Sequence, residues 1–344
     1  VPLLVVTHPA VQRHDPPHEV GLGRIVSPRP ERAGRLDALL AACADAGLAT
    51  TGAAAHDEDL LRSVHDPDLV DWLRDGWAAW RAAGGPEVLV PDTFAHRAWP
   101  GARPPSSPIG AAGWWLMDTA TPIVEGSWAA ARAAVDIALT AVDLVVDAGH
   151  AAVHGATRPP GHHAGRAYAG GFCLVNHAAI AAEALTLRTG GRVAVLDIDH
   201  HHGNGTQEVF WEREDVSYVS LHADPAGAYP WFSGHRDEVG AGPGRGTTHN
   251  HPLPPGTDDA TYLRSLADAC ATIASSGVEA LVVSLGVDTA DTDPVGGLGL
   301  SPAAYAGIGA MVGALGLPTV SLQEGGYDLA RLGPDTVAVL TGLG

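Results

Sequence analysis

The stretch LDIDHHHGNGTQ, residues 196–207, sets two aspartates and three histidines within six positions. The run before it, 193–196, is short, apolar and partly β-branched, as an interior parallel strand would be. Strand side chains alternate, so Asp197, Asp199 and His201 project to one side and Ile198, His200 and His202 to the other. Gly203, Asn204 and Gly205 then stop the strand. One imidazole and two carboxylates can hold a divalent ion and still leave positions for water and substrate, the mark of a catalytic centre. Zn²⁺ and Fe²⁺ accept such ligands alike. A bound ion lowers the pKa of water to ~7, a neighbouring histidine manages the proton, and a tyrosine hydroxyl supports the developing oxyanion. Those are the parts of an amide hydrolase.

Candidates for the remaining parts follow other predicted strands. RPPGHHAG places tandem His162 and His163 behind a stiff Pro-Pro, and GVDTADTDPVGG offers Asp288, Asp291 and Asp293. EGGYD brings Tyr327 behind two glycines, and SLHADPAGAYPWF carries His222 and Tyr229. Each group has a plainer reading. An Asp-x-Asp-x-His is commonly a capped or ion-paired loop, tandem histidines are commonly hydrogen-bonded loop residues, and GGYD alone is a turn. Of the three loop aspartates at most one acts, while the others form turns. His200 and His202, on the opposite strand face, are not expected as ligands, and His222 is either a supporting donor or a core histidine. The functional reading rests on conjunction, because all four features fall on one predicted edge.

That edge is defined by alternation. Strands are expected at 1–7, 151–153, 193–198, 216–221, 280–285 and 319–322. Helices are expected at 31–46, 60–80, 126–148, 176–189, 260–276, 302–315 and 335–343, with a short one from 206 to 211. Strands alternating with helices imply a parallel sheet covered on both faces, with ligands beyond the carboxyl ends of the strands. Residues 84–108, rich in proline and glycine, form a long excursion of the kind that is often functional.

Composition narrows the classes. At 46% hydrophobic the 344-residue chain has material for a full core. A formal net charge of −19 argues against nucleic acid or an anionic membrane as partner. All 20 basic residues are arginines. Cys43, Cys173 and Cys270 show no CxxC spacing, so neither a disulfide framework nor a thiolate zinc site is expected. The first residues lack the features of a signal peptide, and no apolar stretch approaches the ~20 residues of a membrane span. The expected location is the cytoplasm.

RPPGHHA, GGFCLVNHAAIAA, LDIDHHHGNGTQ, VSLHADP, SLGVDTADTDP and QEGGYD resemble, in order, the motifs of the histone deacetylase superfamily, and are most similar to its bacterial acetylpolyamine amidohydrolase branch. The resemblance implies the arginase/deacetylase α/β fold, an eight-stranded parallel sheet with helices on both faces. It also implies one deacetylase domain over 1–344, with an inserted loop at about 84–122. By the same resemblance Asp199, His201 and Asp293 match the ligands of a zinc ion, for which Fe²⁺ is the alternative. His163 matches the general base and acid, His162 its electrostatic partner, and Tyr327 the residue that polarises the carbonyl. Asn204 matches the partner of His163, and Asp197 the residue that orients His162. Asp197 also matches a structural potassium site with Ser220 and main-chain oxygens near Asp199, His201 and Leu221. Gly171, Phe172 and Tyr229 match the substrate tunnel, whose walls exclude water and hold an aliphatic stem.

The implied activity is metal-dependent removal of an acetyl or short acyl group from a small N-acylated amine. The alternatives are deacetylation of acetyl-lysine in proteins, deacylation of a biosynthetic intermediate, and a non-catalytic acyl-amine binder. The loop glutamates of polyamine-selective relatives fall near Ile109 and Ala120 here, and a third acidic position is Val295, so Asp118 or Asp92 is left as a substitute. Trp114 and Trp115 suggest either a flatter, aromatic mouth or a subunit contact. In the acetylpolyamine branch the 84–122 loop narrows the mouth within a homodimer.

Overall fold

The computed structural model describes residues 3–21, 23–97 and 99–344. Its strands are β1 (Leu4–Thr7), β2 (Glu19–Gly21), β3 (Arg24–Val26), β4 (Ala49–Gly52), β5 (Ala152–Gly155), β6 (Val193–Asp197), β7 (Val216–Ala223), β8 (Thr248–Leu253), β9 (Ala280–Leu285) and β10 (Thr319–Gln323). β2 and β3 form a small antiparallel ribbon, and the other eight build one sheet in the order β4-β1-β5-β10-β9-β6-β7-β8, parallel throughout. Every residue of β5, β6, β7, β9 and β10 is buried, whichever way its side chain points. A strand buried on both sides needs no polar alternation, which is why β6 and β9 carry the unbroken apolar runs 193–196 and 280–283. Val1 and Pro2, the start of the first expected strand, lie outside the described residues.

The helices are α1 (Gly34–Asp45), α2 (Asp59–Val64), α3 (Pro67–Ala82), α4 (Pro108–Trp115), α5 (Ser127–Val146), α6 (His177–Thr189), α7 (Asn204–Phe210), α8 (Asp259–Ser275), α9 (Pro302–Gly313) and α10 (Leu329–Leu343). α1, α10, α9 and α8 pack neighbour to neighbour, while α5 and α6 lie over the central strands. The helix expected at 60–80 is two, because Asp66 caps a new start, accepting from Asp68 N, with Pro67 at the first helical position. The last helix begins earlier than expected, at Leu329, capped by Asp328, whose side chain accepts from Ala330 N, and it carries Pro334 within it. The excursion at 84–122 is not loop throughout, since it contains α4. All three cysteines are free. Among the described residues, no helix is long and apolar enough to cross a membrane.

Four adjacent central strands, β5, β10, β9 and β6, end on one rim. The chain beyond them carries, in that spatial order, His162–His163, Tyr327, the three loop aspartates, and Asp199 with His201.

Candidate active site

Asp199, His201 and Asp288 each place one ligand atom within 4.8 Å of the others, and all three are buried. Asp293 does not belong to this group, so the expected ligand is corrected to Asp288. The reason is local. Asp293 Oδ1 accepts from Val295 N (2.9 Å) and Gly296 N (3.1 Å), and its Oδ2 accepts from Tyr327 N (2.7 Å) and Asp328 N (3.1 Å). Four amides saturate that carboxylate, which splices its own loop to the turn carrying Tyr327. Asp288 is three residues past the end of β9 and still at the sheet rim, whereas Asp293 is eight past it.

The three grouped residues fit a divalent cation. Asp288 Oδ1 accepts from His200 N at 2.9 Å, but its buried Oδ2 has no hydrogen-bond partner. His201 Nδ1 lies 3.0 Å from that oxygen and 3.3 Å from Asp199 Oδ1. Two buried carboxylates closing on one imidazole, with one oxygen lacking an aligned hydrogen bond, are costly unless a cation satisfies them. Gly325 keeps the space open: a Cβ there would sit 2.5 Å from Asp199 Oδ2 and 2.6 Å from Asp288 Oδ2. Burial, reinforced by the Asp199 charge, pushes the Asp288 carboxyl up to about 7. Burial alone would lower His201, but its contacts with Asp199 and Asp288 raise it to about 9. Such mutual proton-holding is what a cation would displace.

The tandem histidines stand beside this group, ring centroids 4.0 Å apart. His162 Nδ1 is 3.0 Å from Asp197 Oδ2, which also accepts from the Tyr218 hydroxyl at 3.1 Å. His162 Nε2 is 3.7 Å from Asp199. Against burial, the Asp199 and Asp197 charges raise His162 to about 10. His163 goes the other way: burial, then the neighbouring His162 and His201, hold it well below the ordinary imidazole range. Its Nδ1 meets Asn204 Oδ1 at 2.8 Å. The Asn204 amide nitrogen donates to the Tyr168 hydroxyl (3.1 Å) and the His163 carbonyl (3.4 Å), so the amide oxygen is the atom facing the ring. His163 therefore carries its proton on Nδ1 and leaves Nε2 as a base.

Phe172 and Tyr229 flank the centre. Phe172 meets Tyr327 edge-on at 5.5 Å, and Tyr229 lies edge-on to His163 at 4.9 Å and to His201 at 6.2 Å. Phe172 has φ 70°, a left-handed conformation that costs about 1–3 kcal/mol and persists only where its surroundings impose it. Gly171 precedes it at φ 56°, where a Cβ would meet the His163 ring at 2.2 Å. Burial holds the Tyr327 phenol well above its ordinary range, so it remains a donor.

The remaining expectations are met unevenly. Asp197 and Ser220 are register partners across β6 and β7, both wholly buried, with Leu221 next along β7. The Ser220 hydroxyl pairs with His222 Nδ1 at 2.7 Å, and His222 Nε2 meets the Gly234 carbonyl at 2.8 Å. His202 bonds Ser233 and Gln207, away from the acidic group. Trp115 is buried and Trp114 half-buried, with the Arg97 guanidinium 5.8 Å and 5.1 Å from their rings, so both rings stack on a residue of their own loop. Asp92 and Ile109 are exposed, and Ala120 and Asp118 are half-buried.

Sequence reasoning passed over three supporting residues. Glu324 Oε2 accepts from Gly161 N (2.6 Å) and His162 N (3.2 Å), fixing the tandem-histidine turn. Its place in QEGGYD was the available signal. Arg35, from α1, donates to the Gly326 carbonyl at 2.7 Å and to that of Glu324, with its guanidinium 4.7 Å from the Tyr327 ring centre. Glu31 pairs with Arg158 (2.8 Å), Arg35 (3.3 Å) and Arg29 (3.5 Å), all in the interior. Nothing local marks Glu31 or Arg35 among the chain's other acidic and basic residues as such.

Burial alone would raise the Glu31 carboxyl, but Arg158, Arg29 and Arg35 outweigh it and hold it at about 2. Glu31→Gln leaves three buried guanidiniums short of a counter-charge and is expected to cost about 3–5 kcal/mol in urea unfolding. The folded pKa is depressed, so this stabilisation is complete above an unfolded value of ~4.3 and fades as pH falls toward about 2. The gap between wild type and variant should therefore be flat above that value and narrow below it. A gap that stays constant to pH 3 would show that the Glu31 charge contributes nothing.

A parallel sheet with acidic, imidazole and phenol groups gathered beyond its central strands defines a metal-centred hydrolase of the α/β class. The histone deacetylase domain model matches residues 29–343. Acetylpolyamine amidohydrolase 1 of Pseudomonas aeruginosa is 42% identical over 286 residues, covering 83% of this chain and 82% of that protein. The acetylpolyamine amidohydrolase of Burkholderia pseudomallei is 38% identical over 99% of both chains. A crystal structure of the acetylpolyamine aminohydrolase from Burkholderia pseudomallei superposes with a TM-score of 0.93 at 36% identity, covering 99% of this chain and 98% of that one. The chain belongs to the histone deacetylase family and has its α/β fold, with the eight-stranded parallel sheet.

Proposed function

We propose that this protein is a metal-dependent deacetylase that hydrolyses a small N-acylated amine of the acetylpolyamine kind. One observation carries the reading: the buried Asp199–His201–Asp288 group stands beside an Nδ1-protonated His163, and the turn that carries the buried Tyr327 bonds to it, Gly325 N donating to Asp199 Oδ2 at 2.8 Å. The names of the relatives that match along 83% and 99% of the chain support the substrate class.

A divalent ion held by Asp199, His201 and Asp288, zinc or ferrous iron, would polarise the acyl carbonyl and acidify a water molecule. His163 Nε2 takes the proton from the attacking water and returns it to the leaving amine nitrogen. His162, held protonated between Asp197 and Asp199, supplies fixed positive charge beside that transfer. The Tyr327 hydroxyl donates to the oxygen that becomes negative. Phe172 and Tyr229 exclude water from the chain behind the amide. A structural potassium ion among the Asp197 carboxylate, the Ser220 hydroxyl and main-chain oxygens near Asp199, His201 and Leu221 would offset the buried Asp197 charge. The chain would work as one domain, and Phe94 and Trp99, exposed in the 84–122 insertion, offer an apolar contact for a homodimer.

The test is turnover by metal-loaded protein of a free N-acetylated diamine against an acetyl-lysine peptide. The diamine should be preferred, and activity on neither would remove the hydrolase reading. Tyr327→Phe should lower kcat by ~10²–10³-fold, as loss of one oxyanion donor does, with metal content unaltered. Turnover equal to wild type would take the phenol out of the reaction.

A further inference from the structure

Asp118 has no part in the chemistry above, yet it touches both walls of the substrate slot. Its Oδ2 accepts from Gly171 N at 2.6 Å and from the Tyr229 hydroxyl at 2.8 Å. Its Oδ1 accepts from Ala120 N and from Thr121 Oγ1, each at 3.0 Å. Thr121 Oγ1 in turn accepts from Phe172 N at 2.9 Å. One carboxylate thus fixes the Gly171–Phe172 turn and, across 111 positions of sequence, the opposite aromatic ring. Bonds to a carboxylate are shorter and stronger than neutral ones, so the tie is stiff.

Both walls need such a tie. Phe172 sits in a left-handed conformation that relaxes unless its neighbours impose it. Tyr229 lies in the connection between β7 and β8, followed by the exposed Trp231 and Phe232, and a phenylalanine there would have no polar anchor. Burial and the Asp118 charge keep the Tyr229 phenol protonated, so it donates at any working pH.

We propose that Asp118 is a positioning residue that sets specificity: by tying both aromatic walls to one carboxylate it fixes the width of the slot and confines substrates to N-acyl amines with slim, unbranched chains. The inference rests on the amide-hydrolase reading above and adds the shape of molecule it accepts.

Tyr229→Phe keeps the ring and removes only the tie. The readout is a ratio, kcat/KM for the N-acetyl form of an amine branched next to its nitrogen over that for the N-acetyl form of the unbranched amine. The loss of one hydrogen bond should raise the ratio about three- to tenfold, through a lower KM for the branched substrate. Asp118→Asn, which sets an amide NH₂ against existing donors, should relax it at least as far if it folds. An unchanged ratio in Tyr229→Phe, or a parallel fall for both substrates, overturns the proposal. Calorimetric binding of the two amides to metal-loaded protein gives the corresponding ratio of affinities without turnover. If wild type hydrolyses neither amide, the hydrolase reading falls, whereas the slot assignment falls only if the binding ratio is also insensitive to the substitution.

Discussion

Asp288→Ala is expected to release the divalent ion and to lower turnover by about three orders of magnitude or more, since the ion supplies several kcal/mol of transition-state stabilisation. Asp293→Asn is expected to keep one ion per chain. The two carboxylates are five residues apart in one loop, but only Asp288 turns a buried oxygen without an aligned hydrogen bond toward His201 Nδ1, 3.0 Å away. Asp293 spends both oxygens on four amides, two of them at the Tyr327 turn. Asparagine can replace only one of those oxygens as acceptor, so the variant should lose about 1–3 kcal/mol of stability. Its kcat should also fall through a loosened tyrosine. Elemental analysis of dialysed protein, with urea unfolding of both variants, separates the two roles. An Asp293→Asn protein stripped of metal, beside an Asp288→Ala protein that retains it, would reverse the assignment.

His163→Ala should cost ~10²–10⁴ in kcat, the range for a positioned acid–base group, with the ion still bound. His163 is outside the ligand group, and its Nδ1 is committed to Asn204. Burial with two neighbouring imidazoles keeps the ring neutral, so it begins the reaction able to take a proton. The geometry separates its role from that of His162, which is flanked by Asp197 and Asp199 and held charged. Loss of metal in His163→Ala would mean that the ring binds the ion and that the proton relay lies elsewhere.

The interior of the fold was legible because a strand buried on both faces can carry an unbroken apolar run, as at 193–196 and 280–283. The two edge strands left no such trace. β4 reads ATTG and is largely exposed, while β8 reads THNHPL with a proline in it, and neither shows a run or an alternation. Asp199, His201 and the tandem histidines announced themselves by type and spacing. The third ligand did not, since the direction of a loop carboxylate is decided by tight turns that residue types do not reveal. The rule that groups act just past a strand end favours Asp288, whereas family resemblance had pointed to Asp293. Arg35, Glu31 and Asp118 act through contacts made hundreds or tens of positions away, as with Arg35 and Gly326, and a single sequence carries no mark of such partners.

The reactive groups hang on β5, β10, β9 and β6, strands that are neighbours in space although as many as 167 positions separate them in the chain, as with His154 and Ser321. No fragment of the polypeptide can assemble the centre alone, because each pair of adjacent strands is joined only once the long connections have closed. Whatever occupies the centre therefore recognises the finished sheet and not the unfolded chain, and mass action makes it a clamp on the whole native state. Catalytic competence and resistance to unfolding are in this way one property of the molecule.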